Sequence, residues 1–178
     1  MHRVSCAGLL LRAALVLACW AWAAEAPLAH AAPVPSWMHV DAAHKRVSFT
    51  VIAAQGGANG TLNFNGYAAG NLTVTVPVGW GVHIDFTNSG AGALPHSLEV
   101  IRAPSKMPPQ GIAPAIPEAE TRNLVEGIPP QQGDTVDFTA APAGQYLWFC
   151  GVPSHGLSGM WTRFIVSSSV SRPTVTTK

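Results

Sequence analysis

Charge is scarce in this chain of 178 residues: only 11% are Asp, Glu, Lys or Arg, against about a quarter in an ordinary soluble domain. Ten basic and nine acidic side chains leave a formal net charge of +1. There is no lysine-rich patch and no acidic tail, which excludes a basic nucleic-acid binder and a chain held disordered by its own charge. Cysteine is scarcer still, with Cys6, Cys19 and Cys150 the whole complement. A small scaffold stapled by disulfides is therefore excluded. No long segment carries the helical apolar stripe, so a helix bundle is excluded as well. Glycine (17) and proline (15) are plentiful, and the length suits one domain.

Residues 1–31 read as an export signal. Arg3 and Arg12 precede the apolar run 13–24, and Ala29-His30-Ala31 has the small-x-small form of a cleavage site before Ala32. Twelve apolar residues are short for a membrane span. An uncleaved anchor, or a lipid on Cys19 in the stretch Val16-Leu17-Ala18-Cys19, is the alternative. Cleavage would leave Cys150 as the one cysteine, and eight positive and eight negative side chains. A lone cysteine in an oxidising compartment needs a reason.

Residues 32–45 form an extended, proline-containing lead-in. From residue 46 the pattern has period two: Val47, Phe49 and Val51; Leu62 and Phe64; Leu72, Val74 and Val76; Val82, Ile84 and Phe86. Further candidates are Ser97–Ile101, Thr135–Thr139, Gln145–Cys150 and Met160–Val166. Alternation over short runs with turn residues between them predicts half-buried strands. About eight of them predict an all-β sandwich over 46–167. One long segment, 103–132, carries seven prolines and no strand signal, a length that is often functional. Within it Pro117–Gly127 has a helix-like start and stop. The Ser/Thr-rich tail 168–178 reads as mobile.

Chemistry concentrates in one stretch, Tyr146-Leu-Trp-Phe-Cys150-Gly-Val-Pro-Ser-His155-Gly-Leu-Ser-Gly-Met160-Trp161. Cys150, His155 and Met160 stand with four residues between each pair. His96, flanked by Pro95 and Ser97, lies far upstream. Two imidazoles and a thiolate with a weak axial thioether make the ligand set of a blue-copper electron-transfer site. A lone cysteine would otherwise be a buried thiol, a lone methionine core packing and a lone histidine a loop residue. The common spacing sets those readings aside. His39, His44 and His83 read as surface residues, and His30 falls in the export segment.

The loop from Phe149 to Trp161 resembles the copper loop of the sulfocyanins, a family of cupredoxins, and rusticyanins share its spacing. Phe64-Asn65-Gly66-Tyr67, the run Leu72–Trp80, and Phe86-Thr-Asn88 followed by Pro95-His96-Ser97 are also similar to that family. The resemblance spans about 61–167. It departs at Ser154, where the family usually has glycine. The resemblance implies a Greek-key cupredoxin fold with the Pro-rich segment as an insertion, one copper ion, and the ligands His96, Cys150, His155 and Met160. Around them it points to Ser97 and Val152, whose N–H groups would face the sulfur. Phe149 and Trp161, with Trp148, Met107 and the proline-rich loop, would keep water out and raise the potential. His155 with Pro153 and Leu157 would form the electron port.

The implied protein is an electron carrier and not an enzyme. It would work in the periplasm or on the outer face of the cytoplasmic membrane, with a c-type cytochrome or terminal oxidase as partner and a possible membrane tether. Few carboxylates suggest an acid-exposed location. A copper storage or delivery protein is the alternative, but the chain has four methionines and only Met160 lies near the site. A nitrite-reductase-like enzyme domain would need a second set of paired histidines. A metal-free adhesion sandwich would leave the ligand spacing to coincidence.

Overall fold

The computed structural model describes residues 34–178, so the export or anchor segment proposed above lies outside the described residues. Among the described residues nine strands form two sheets. The first has the order β1 (Met38–Asp41), β2 (Arg46–Ala53), β4 (Gly81–Asn88), β6 (Gly133–Thr139). The second has the order β5 (Glu99–Arg102), β7 (Gly144–Phe149), β8 (Trp161–Ser167), β3 (Leu72–Pro77), β9 (Thr174–Thr177). From β2 to β7 the chain changes sheet at every step. This crossing makes the β2/β4 and β3/β8 neighbours parallel and gives the sandwich its Greek-key character.

The period-two residues explain the two layers. In β2, β3 and β4 every second side chain is buried: Val47, Phe49, Val51 and Ala53; Leu72, Val74 and Val76; Val82, Ile84 and Phe86. Together with Val100, Tyr146, Trp148 and Phe164 they form one continuous core between the sheets. Trp148 sits at its centre, edge-on to Phe49 and stacked on Phe164. Outward positions stay polar. His83 is not simply solvated: it lies between Asp137 (2.9 Å) and Asp85 (3.2 Å), and these partners raise its pKa, Asp137 most.

Four expectations need correction. The lead-in contains a strand, β1, which pairs with β2 while Trp37 packs near Phe49. The tail also contains one: Thr174-Val175-Thr176-Thr177 adds β9 to the edge of β3. Its β-branched residues outweigh its polar look. Leu62–Phe64 forms no strand; Phe64 makes only isolated bridges to Ala53 and Tyr67. Finally, Pro117–Gly127 is not helical. Its backbone is used to cover the open edge of β5, with Val100 N–H donating to Ala119 O and Thr121 N–H to Leu98 O. Glu118 and Asn123 adopt positive φ, which breaks any helix. Among the described residues the one helical turn is the 3-10 turn Ala91–Ala93.

The functional end follows from the register. β7 runs antiparallel to β5, with Glu99 opposite Phe149, and to β8, with Phe149 opposite Trp161. The end of β7 therefore meets the starts of both neighbours. Cys150, His96 and Met160 each lie just outside those strand ends.

Candidate metal centre

Each candidate ligand is delivered by a different constraint. Cys150 follows the last residue of β7, and its N–H donates to Met160 O at 3.1 Å. Met160 N–H donates to His155 O at 3.0 Å, which closes the loop into a compact turn. His96 is held by a two-way backbone pair with Ile128 at 3.1 and 2.7 Å. The structure thus brings the nitrogens of His96 and His155 and the sulfur of Cys150 within 4.8 Å of one another. His155 Nδ1 is 3.5 Å from Cys150 Sγ, and the two imidazole centroids are 5.0 Å apart. Met160 is fully buried in the same cluster as Cys150.

The donors fit a soft metal ion. Both ring nitrogens of His96 are buried without a hydrogen-bond partner, a costly arrangement unless another group satisfies them. Burial, with His155 adding to it, pushes the His96 pKa down to about 4, and burial also lowers that of His155. Both shifts favour the neutral ring, the form that ligates. Burial pushes the Cys150 thiol up to about 11 against the opposing N–H groups of Ser97 and Val152. A bound cation deprotonates such a thiol outright. Two imidazoles and one thiolate with a nearby thioether suit copper.

Around the sulfur, Ser97 contributes most. Its N–H points at Cys150 Sγ from 3.4 Å, and its hydroxyl accepts from Gly151 N–H at 3.0 Å and donates to Leu124 O at 2.7 Å. Leu124 was not apparent from the sequence, because it sits in the irregular segment with no period to mark it. Its side chain covers Gly151, where an added Cβ would lie 2.8 Å from two of its carbons. Val152 packs against Gly127 and, with Leu124, shields this side.

Phe149 and Trp161 are placed differently from the expectation. Alternation along β7 turns Phe149 away from Cys150, to the outer face of the sheet with Ile101, Leu147, Met107 and Trp161. Met107 therefore shields that outer cluster, and Trp148 fills the central core. Phe149 still supports the ligand loop from behind. A Cβ on Gly156 would fall on the Phe149 ring. Gly156→Ala is expected to displace His155, weaken copper binding and cost about 1–3 kcal/mol, the usual scale of overpacking. Thermal melting with and without copper measures both effects. Ser154 stands at φ 68, the left-handed conformation that glycine would adopt without strain. Its N–H donates to Pro109 O at 2.8 Å, so the Pro-rich segment holds it in place.

Beneath that segment lies a residue the sequence did not single out. Glu99 is fully buried. Its carboxyl oxygens accept only the Ile112 N–H, each at 3.4 Å. Among the described residues no cation pairs with it. Burial raises its pKa to about 8, opposed by the Ile112 N–H and reinforced by Glu120.

The chain is similar to several known proteins. The family model of the sulfocyanin (SoxE) domain matches residues 34–177. The sulfocyanin of Sulfolobus acidocaldarius is 31% identical over 139 residues, covering 73% of this chain and 68% of that protein. Rusticyanin of Acidithiobacillus ferridurans is 31% identical over 98 residues, 54% of this chain and half the length of the relative. Among solved structures, rusticyanin from Thiobacillus ferrooxidans matches at 26% identity and TM-score 0.47, over 74% of this chain and 86% of that one. Auracyanin from Roseiflexus castenholzii matches at 22% and 0.49, over 67% and 96%. With the matched domain reaching from before β1 through β9, the chain belongs to the sulfocyanin family of cupredoxins.

Proposed function

We propose that the protein carries single electrons between redox partners outside the cytoplasmic membrane, using one copper held by His96, Cys150, His155 and Met160. The observation that carries this reading is the convergence of two imidazoles and one thiol at the end of β7, with both His96 nitrogens otherwise unpartnered. Bound there, copper supplies a one-electron couple whose potential is tuned by the axial ligand and the surroundings of the sulfur. The protein's part is to hold the donors. Backbone pairs on both sides of His96, and the loop bonds from Cys150 to Met160, fix the ligand positions and leave little to rearrange. Ser97 N–H and Val152 N–H face the sulfur, and the cover of Leu124 and Val152 excludes water. An apolar, dry site disfavours the more highly charged state, so the expected potential is high.

His155 is half-buried while His96 is fully buried, which makes His155 the ring suited to pass electrons at the surface. Pro153 is exposed beside it, and Leu157 is 55% exposed. This rim lacks charge and suits brief docking of a partner such as a c-type cytochrome or terminal oxidase over a small interface. A storage role would call for open, labile donors, and the buried His96 and Met160 are the opposite. The export-like N-terminal sequence supports a location in the periplasm or on the outer face of the cytoplasmic membrane, with a membrane tether as the further option.

Rapid mixing of the copper-loaded protein with a reduced c-type cytochrome tests the reading. Electron transfer is expected on the millisecond-to-second scale with little dependence on salt, because the rim carries no charge to screen. The copper should stay bound through repeated cycles in the presence of a Cu(I) chelator. Loss of copper on the first reduction would instead indicate delivery. His155→Ala is expected to lose both the colour and the transfer.

A further inference from the structure

We infer that Asn59 is a positioning residue for the metal centre: its side-chain amide holds the Ser158 carbonyl and so fixes the backbone that delivers Met160. The inference rests on the electron-carrier reading above. Asn59 Nδ2 donates to Leu62 O at 2.9 Å, within its own loop, and to Ser158 O at 2.7 Å, across 99 positions of sequence. Ser158 lies two residues before Met160. Asn59 itself stands at φ 63, a left-handed position that Asn tolerates better than most residues.

The loop bearing Asn59 is rigid enough to act as a clamp. Asn63 is fully buried. Its amide donates to the carbonyls of Gln55, Ala58 and Gly60 at 2.8, 3.0 and 2.7 Å, and its Oδ1 accepts from Gly66 N–H at 3.0 Å. Asn65 ties the far end to β2, accepting from Ile52 N–H at 2.6 Å and donating to Thr50 O at 2.9 Å. The chain of contacts therefore runs from the first sheet, through the loop, to the ligand turn of the second. Ala69 N–H donates to Gly159 O at 2.8 Å and reinforces the same point. A Cβ on Gly159 would lie 3.2 Å from Asn59 Nδ2, so the amide side chain lies close against the Gly159 backbone.

The axial position is where such a clamp matters most. A thioether bonds weakly to copper at long range, so the metal exerts little pull on Met160. The backbone of residues 158–160 then decides where the sulfur rests. Partners of this kind, one step removed from the metal, orient ligands and tune the site.

Two variants separate the amide from the backbone conformation. Asn59→Gly keeps the left-handed turn without strain and deletes the amide. Asn59→Asp keeps the shape and removes the donor. In the copper-free protein both are expected to speed hydrogen exchange at the amides of residues 158–160 about five- to tenfold, the scale of one lost hydrogen bond, with β4 amides unchanged. In the copper-loaded protein both are expected to shift the midpoint potential and the visible band pattern while the Cys150–copper band persists. The inference is overturned if Asn59→Gly leaves exchange at 158–160 unchanged. It is equally overturned if exchange rises uniformly across the fold, or if it rises locally while potential and spectrum stay fixed. Failure of the wild-type protein to show a thiolate–copper band would overturn the electron-carrier reading instead, and would leave the exchange result to stand by itself.

Discussion

Cys150→Ser is expected to abolish the intense visible absorption and to reduce electron transfer to background, with the fold retained. The reason is chemical. Cys150 is the only cysteine among the described residues, and its sulfur is the only soft anionic donor in the site. A serine hydroxyl in the same buried position remains protonated and cannot replace it. The substitution is close in volume, and the Ser97 N–H that points at the sulfur from 3.4 Å keeps an acceptor. The stability cost of an imperfectly bonded buried hydroxyl is about 1–3 kcal/mol, readable by denaturation of the copper-free protein. Circular dichroism in the far ultraviolet should be unchanged. A variant that kept the colour would place the copper elsewhere.

Glu99→Gln is expected to make the copper-loaded protein more stable at neutral pH and to leave it nearly unchanged at pH 4. In the folded protein burial raises the carboxyl from 4.5 to about 8. Between those values the native state keeps a proton that the unfolded chain has released. The contribution of Glu99 to stability therefore falls as pH rises through this window, and it is fully present below about 4.5. At pH 7 the penalty is on the order of 3 kcal/mol. Glutamine keeps the acceptor for Ile112 N–H and has nothing to titrate. With copper bound, the native state holds His96, His155 and Cys150 deprotonated as ligands while the unfolded chain takes those protons up, which adds a slope of opposite sign, so the share of Glu99 is read from the difference between wild type and variant at each pH. His83 adds a smaller term of the same sign as Glu99, since Asp137 and Asp85 raise its pKa. Urea denaturation from pH 4 to pH 8 measures it, and an unchanged slope in the variant would contradict the assignment.

The sequence carried the ligand loop in full, because Cys150, His155 and Met160 lie within one turn between two strands and need no tertiary information to be related. The alternating strands of the core were legible for the same local reason. What was not legible depends on pairing across the chain. Whether Thr174–Thr177 forms a strand is decided by the open edge of β3, and Ser/Thr composition is silent on that. Pro117–Gly127 carries helix start and stop signals, yet the open edge of β5 claims its backbone. Phe149 and Trp161 neighbour the ligands in sequence, but the pleat turns them to the opposite face, while Leu124 reaches Gly151 from 27 residues away. Asn59 and Asn63 sit in a stretch that resembles any polar loop until the contact with Ser158 is seen.

The most direct test of the account is a copper titration followed by optical and paramagnetic-resonance spectroscopy. The account predicts saturation at one copper per chain, an intense thiolate-to-copper band, a narrow copper hyperfine pattern, and complete, reversible loss of the band on one-electron reduction. Saturation without that band, or a band that survives in Cys150→Ser, would contradict it.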